Sequence, residues 1–376
     1  MIDMTAHDTA GRSGAPGSDG GTPPSSLPRP AGLPPGVGIR PYAGPSDHPG
    51  MVAAGNAWRT ATGFLELVTV ASQDAFYANI ANCDPRTDCF IAERGEAVVG
   101  YCRVQWHDGR DGERRYGITL IAAPDPDRRG IVDALYDLAE RRLADIAAGQ
   151  RTDRRRVLDA FAPGADALLI AATESRGYAV VRRGYEMVRP DLEGIPDVPL
   201  PAGLEVRPVR QEDLRAIWEA DVEAFRDHFG GSDGSDEAWE RFRLDPLADP
   251  TLWRVAWDGD QVAGQVRSYI DAETNARTGR LTGWTEYISV RRPWRRRGLA
   301  RALLADSLRA VRDAGMTEAA LGVDAGNETG ALALYESLGF AVHRTELIYE
   351  RPAPGYDAGM VPDASTATGA AREVRP

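Results

Sequence analysis

Six arginines fall within the thirteen residues from Ser289 to Arg301, in the stretch SVRRPWRRRGLAR. Guanidinium groups at this density suit phosphate, and three readings compete: a nucleic-acid patch, a solvated charge run, or a cradle for one anion. The flanking residues favour the cradle. WTEYISV before the cluster reads as a strand, and a helix is expected from near Arg297, with Leu299, Leu303 and Leu308 roughly on one face. At a strand-to-helix turn the first helical N–H groups lack intrahelical partners and point outward at the positive end of the helix dipole. That arrangement suits a diphosphate. Gly298 would let it approach the backbone, Ala300 would keep the next position small, and Arg296, Arg297 and Arg301 would reach outlying phosphates. The dipole contributes only about 0.3–1 kcal/mol, so converging amides and arginines must supply the rest.

The elements around this turn occur twice. GIRPYAGPSD (38–47) answers EVRPVRQEDL (205–214), and IAERGEAVVGYCRV (91–104) answers VAWDGDQVAGQVRS (255–268). DRRGIVDALYDLAERRL (127–143) answers RRRGLARALLADSLRAV (295–311), and ESRGYAVVRRGYEMVRPDL (174–192) answers ESLGFAVHRTELIYERP (336–352). Four blocks in one order, about 165 residues apart, mean one fold present twice. The expected organisation is a tail over 1–37, a first domain over 38–192, a Pro- and Gly-containing linker over 193–203, a second domain over 204–352 and a tail over 353–376. In the second domain the patterns predict strands at 204–209, 252–257, 261–270, 281–290, 318–324 and 340–350. Helices are expected at 211–227, 235–243 and 328–338, besides the arginine-led helix ending at Gly315. The fold class is therefore α/β (α+β), with a mixed, mostly antiparallel sheet in each of two tandem domains.

Bulk properties narrow the function. The 376 residues carry a formal net charge of -12, with a pI near 5.1. A protein that coats phosphate backbones is ordinarily basic, so the arginine cluster is a local feature and no nucleic-acid partner is expected. No lysine occurs, which excludes Schiff-base and lysine-nucleophile chemistry. Cys83, Cys89 and Cys102 form no CxxC and stand near no histidine cluster, so buried thiols and no metal site are expected. No apolar run approaches the roughly 20 residues that span a bilayer, and the N-terminus lacks a signal-peptide pattern, so a cytoplasmic protein without a membrane partner is expected.

With both blocks in place, the sequence resembles the GNAT superfamily of acyl-CoA-dependent N-acyltransferases. Its signature, Gln/Arg-x-x-Gly-x-Gly/Ala, is met by Arg295, Gly298 and Ala300, and its second block appears as VDAGNETGALALYESLGF (323–340). The resemblance covers about 204–350 strongly and 38–192 weakly. It implies acetyl-CoA as acyl donor, held by Ile288, Ser289 and Val290 along the pantetheine arm, by Arg295, Arg296, Arg297, Gly298, Leu299, Ala300 and Arg301 around the diphosphate, and by Asn327. It places Tyr335 where many members carry the acid that protonates the leaving thiolate, and Glu286 where some carry an acidic residue. Glu286 is the candidate base. Four residues before Val290 in a regular strand, it would share that residue's face. The competing readings are a space-filling tyrosine and an exposed glutamate balancing Arg291 or Arg292. His228 and His343 lie outside the motif blocks.

Setting the first repeat on the second turns Arg295 into Asp127, Ala300 into Val132, Glu286 into Ile118 and Tyr335 into Thr173, while Gly298 keeps its counterpart in Gly130. The first repeat is thus expected to have lost catalysis and most acyl-CoA binding. The expected activity is acetyl transfer in the C-terminal domain, by direct attack, to a primary amine of a small molecule or peptide. The alternative is a non-catalytic acyl-CoA-binding module, and the assembly is expected to be a monomer or homodimer. Asp221, Glu223 and Asp227 fall at near-helical spacing where the fold lines its acceptor site. They suggest a cationic acceptor such as an amino sugar, polyamine or peptide N-terminus, or else a solvated acidic face. Tandem members that acetylate a cysteinyl amino-sugar conjugate are similar in architecture.

Overall fold

A computed structural model describes residues 29–109, 112–226, 234–326 and 330–353. The first repeat runs β1 (Val37–Pro41), α1 (His48–Ala61), α2 (Val70–Ala78), α3 (Pro85–Asp88), β2 (Cys89–Arg94), β3 (Ala97–Asp108), β4 (Glu113–Ala122), α4 (Arg128–Gly149), β5 (Arg155–Pro163), α5 (Ala167–Glu174) and β6 (Ala179–Arg189). The second runs β7 (Glu205–Val206), α6 (Leu214–Ala224), α7 (Asp236–Arg243), β8 (Arg254–Asp258), β9 (Gln261–Tyr269), α8 (Ala272–Thr278), β10 (Thr282–Val290), α9 (Leu299–Asp313), β11 (Glu318–Asp324), α10 (Ala331–Glu336) and β12 (Ala341–Pro352).

Among the described residues twelve strands make one sheet in the order β1-β2-β3-β4-β5-β12-β6-β11-β10-β9-β8-β7. Only β4–β5 and β10–β11 pair in parallel; every other neighbour is antiparallel. The order is symmetric about the β12–β6 contact, as a duplication requires. Each repeat gives its closing strand to the other: β12 pairs with β5 of the first repeat, and β6 pairs with β11 of the second. Neither half is a separate sheet, because each would leave the edge of β5 or β11 unpaired.

The local chemistry explains the elements that hold the site. In α9, Leu299, Leu303, Leu304, Leu308 and Val311 are among nine buried residues, a broad apolar face rather than a narrow stripe; each leucine contributes roughly 1.5–3 kcal/mol by leaving water. Gly283 lets α9 lie close on β10, since a Cβ there would stand 2.8 Å from that of Val311. The helix ends at Ala314, and Gly315 follows with φ 91°, the expected left-handed stop. Helix α8, unforeseen in the sequence patterns, starts where the Asp271 side chain accepts the Thr274 N–H.

The expected tail boundary at residue 37 requires a correction: Pro30, Leu33 and Pro34 are already buried, and Leu33 belongs to the first repeat's core. Apolar residues spaced among prolines pack without regular structure, which a composition reading misses. Among the described residues no helix is long and apolar enough to cross a membrane, and no three His, Cys, Asp or Glu side chains are grouped to hold a metal. Cys89 and Cys102 are buried and Cys83 is partly so.

Candidate active site in the C-terminal repeat

β10 and β11 pair only where Thr282–Trp284 face Glu318–Ala320; the equivalent strands of the first repeat stay paired over Glu113–Ile118. Beyond Trp284 the two strands part, opening a split at the carboxyl end of the parallel pair. Glu286 reaches across it, and its Oε1 accepts the Gly322 N–H at 2.8 Å. Glu286 is itself only 6% exposed.

A β-bulge corrects the expected facing of this strand. Glu286 lies opposite Arg267 and Ser289 opposite Gln265, so Tyr287 and Ile288 stand against the single residue Val266. Tyr287 takes the left-handed conformation with φ 50°, a local strain typical of binding sites. The extra residue reverses the alternation. Glu286 and Ser289 therefore share one face, and Val290 turns to the other, beside Leu299. On the Glu286 face Arg267 binds Asp221 at 2.8 Å and Gln265 donates to the Ile217 carbonyl at 3.0 Å, both on α6.

Tyr335, on α10, packs with Leu299, Leu303 and Phe340 in the core beneath α9, its ring edge-on to Phe340 at 6.3 Å. Burial, reinforced by the Glu286 charge, pushes its phenol well above the ordinary value. A tyrosine so placed keeps its proton at neutral pH, as a proton donor must.

The arginine cluster divides into struts and free charges. Arg291 holds Glu223 at 2.7 Å and the Val262 carbonyl at 3.0 Å. The buried Trp294 donates to Asp258 at 3.0 Å. Arg295, expected at the phosphates, instead spends its guanidinium on the carbonyls of Val290 (2.9 Å) and Ala224 (3.1 Å). It fixes the turn rather than facing outward. Arg296, Arg297 and Gly298 are exposed, and neither arginine has a hydrogen-bond or ion-pair partner among the described residues. Arg296 (φ 60°) and Gly298 (φ 83°) are both left-handed. Gly298 is the N-cap of α9, two residues later than the sequence suggests, with no side-chain cap and no atom within 4 Å of where a Cβ would stand. Such a bare helix start beside two unengaged guanidiniums fits a diphosphate. Leu299 is buried and Ala300 partly so, leaving their backbone as the part that could face a ligand. Arg301 donates to the Ser337 hydroxyl at 2.9 Å. Asn327, Asp227 and His228 lie outside the described residues. His343 is spent on the Gly63 carbonyl at 3.0 Å.

The same turn in the first repeat is closed. Its helix α4 starts at Arg128, three residues earlier relative to the repeat, and Gly130 is inside the first turn rather than left-handed. A Cβ on Gly130 would stand 2.8 Å from Pro34 and 3.1 Å from the Gly32 carbonyl, so the segment before β1 lies over the helix start. Arg128 is held by Asp166 at 2.9 Å and Arg129 by Asp133 at 2.8 Å. Asp125 and Asp127, bound to Arg94, add negative charge there. Thr173, at the Tyr335 position, bonds the Tyr136 hydroxyl at 2.6 Å, and Ile118 is buried at the Glu286 position.

The acids of the site are not where the sequence patterns put them. Asp221 and Glu223, expected as an acidic acceptor lining or else a solvated face, are not free: Arg267 and Arg291 engage them. The acidity lies at the junction of the repeats. Glu66, in the loop after α1, receives the Tyr269 hydroxyl at 3.3 Å. Burial first, then Glu186 and Glu286, push its carboxyl up to about 7, while Arg59 acts the other way. Glu186 on β6 pairs in register with Gly322, the residue that bonds Glu286. Only the strand exchange brings these side chains together, and no periodicity reports it.

A split parallel pair followed by an arginine-flanked helix start, open in the second of two copies of one fold, defines a transferase class. The model of the acetyltransferase (GNAT) family matches residues 57–155 and 214–340, so the chain belongs to that family, twice over. It is an acyltransferase of tandem architecture, and its family takes acetyl-CoA as co-substrate. Among curated proteins it is 27% identical over 259 residues to the mycothiol acetyltransferase of Geodermatophilus obscurus, covering 68% of this chain and 79% of the relative. The mycothiol acetyltransferase of Catenulispora acidiphila is likewise 27% identical, over 69% of this chain and 81% of its own length. Among solved structures, a GCN5-related N-acetyltransferase from Sphaerobacter thermophilus superposes with TM-score 0.65 at 24% identity, over 86% of this chain and 98% of that one. A tandem GNAT protein from the clavulanic acid biosynthesis pathway gives TM-score 0.58 at 16% identity, over 85% of this chain and all of that one.

Proposed function

We propose that the C-terminal repeat transfers an acetyl group from acetyl-CoA to a primary amine, with Glu286 as general base and Tyr335 as general acid. The observation that carries this reading is the buried Glu286 carboxylate spanning the β10–β11 split, with the protonated phenol of Tyr335 within its field. The co-substrate supplies the acetyl group as a thioester. Arg296, Arg297 and the amides around Gly298 bind its diphosphate, the Ile288–Val290 backbone lines its arm, and Arg295 sets the turn. Glu286 takes a proton from the acceptor nitrogen. As the new C–N bond forms and the C–S bond breaks, Tyr335 gives its proton to the departing sulfur, leaving an amide and a free thiol. The cysteines all belong to the first repeat, which supports direct attack over a cysteine-bound acyl carrier. The first repeat, its helix start covered and its arginines paired, carries no second site.

The test is thiol release from acetyl-CoA across a panel of amines: mycothiol precursor, aminoglycosides, polyamines and short peptides. Release with one acceptor class, lost in Tyr335→Phe with acetyl-CoA affinity intact, supports the reading. Tight acetyl-CoA binding with no release over the whole panel points to a non-catalytic acyl-CoA-binding module instead.

A further inference from the structure

Resting on the assignment of Glu286 as base, we infer that Glu66 and Glu186 form an acceptor subsite shared by both repeats, which selects amines carrying a second, distal ammonium group. Three elements converge there. The loop after α1 places Leu65 in a buried cluster with Val188, Tyr269, Trp284 and Ala320, seating the first repeat's loop against β9, β10 and β11. Its backbone is tied down from the second repeat by His343 at Gly63 (3.0 Å). The Tyr269 hydroxyl donates to Glu66 Oε1 at 3.3 Å. Strand exchange then sets Glu186 of β6 opposite Gly322 of β11, whose N–H bonds Glu286. Glu286, Gly322 and Glu186 thus run in a row across β10, β11 and β6.

The chemistry of this row calls for a donor. Glu186 is 7% exposed; its Oε2 accepts from Arg344 at 3.0 Å, but its Oε1 is buried with no hydrogen-bond partner. Arg344 is shared with Glu346 at 2.7 Å, and its guanidinium stacks over Phe64 at 3.6 Å. Arg59 lies over the same ring at 4.7 Å. Four carboxyl groups (Glu66, Glu186, Glu286 and Glu346) therefore meet two guanidiniums. Burial holds Glu66 and Glu346 toward their neutral forms, and among the described residues Arg344 keeps its Nε and Nη1 without acceptors beside the open Glu186 oxygen. A diamine redresses that imbalance: one nitrogen goes to Glu286 for acetylation, and the other, protonated, goes to Glu66 and the open oxygen of Glu186. A buried carboxylate oxygen without a donor is costly, so the second ammonium gains what Glu186 otherwise lacks. A monoamine offers nothing to it.

The experiment is calorimetric binding of 1,4-diaminobutane and of butylamine to the full chain saturated with coenzyme A, which cannot react. The diamine is expected to bind at least 10-fold more tightly than the monoamine. Glu66→Gln and Glu186→Gln should each reduce that preference several-fold, and Glu286→Gln should keep most of it. Thermal melts of each variant show whether its fold is kept, and the preference is read as a ratio within one protein. Equal affinity for the two amines overturns the inference, as does a preference that survives in both glutamine variants. Diamine binding that depends on Glu66 and Glu186, with no thiol released from acetyl-CoA, keeps the subsite and removes the catalytic roles of Glu286 and Tyr335.

Discussion

Glu286 accepts the Gly322 N–H at 2.8 Å across the gap where β10 and β11 have stopped pairing. The bond does two things at once. It satisfies a backbone donor that the diverging ladder would leave unpaired, and it holds a buried carboxylate at the mouth of the split. A glutamine keeps the first role and removes the second.

Glu286→Gln is accordingly expected to fold normally and bind acetyl-CoA with unchanged affinity, while kcat falls by roughly 10²–10⁴. The remaining rate should rise with pH, because only amine already deprotonated by solvent can attack. Steady-state rates from pH 6 to 10, with calorimetric acetyl-CoA titration, check this; a wild-type pH profile in the variant counts against the base.

Gly298 separates backbone conformation from ligand contact. Its φ is 83° and nothing crowds its Cβ position, so Gly298→Ala should cost only the left-handed strain, about 1 kcal/mol in a urea melt. Gly298→Glu adds bulk and negative charge at the proposed diphosphate site. It should melt like the alanine variant yet lose acetyl-CoA binding by calorimetry. Full affinity in the glutamate variant would place the diphosphate elsewhere.

Glu66 makes stability depend on pH. Its carboxyl sits at about 7 in the fold against an ordinary 4.5, so the folded chain holds this proton more tightly than the unfolded one. The penalty for burying the carboxylate is absent below about pH 4.5 and complete above about pH 7.5, amounting to roughly 3 kcal/mol at most. Stability should decline as pH rises through that window. In Glu66→Gln the decline should be shallower and Tm at pH 8 higher than in the parent. Melts between pH 5 and 8.5 measure both; parallel curves refute the shift.

The duplication, most strand and helix positions of the second repeat and the turn at Gly298 were legible from residue patterns, because each rests on local chemistry; α8 was not, and the strand expected at 204–209 is only Glu205–Val206. Strand β11 falls at 318–324 as its apolar run requires. The bulge was not legible, since Tyr287 has no residue-type signature for a left-handed backbone. Nor was the exchange of closing strands. VVRRGYEMVR in β6 and VHRTELIYER in β12 carry similar patterns, so alternation alone cannot say which repeat each completes. The junction acids follow from that exchange, and Glu66 sits in a loop where spacing says nothing. Arg295 misled because its position in the motif suggested an outward charge, while its reach to the Val290 and Ala224 carbonyls is set by the turn.

Arg297 and Arg129 occupy equivalent positions in the two repeats, the first exposed without a partner among the described residues and the second paired with Asp133 at 2.8 Å. Acetyl-CoA titration of the full-length Arg297→Glu and Arg129→Glu proteins is therefore the most direct test. The account predicts one binding site per chain, weakened at least 10-fold by the change at Arg297 and untouched by the change at Arg129. Two sites per chain, or a loss of affinity that follows Arg129, would contradict it.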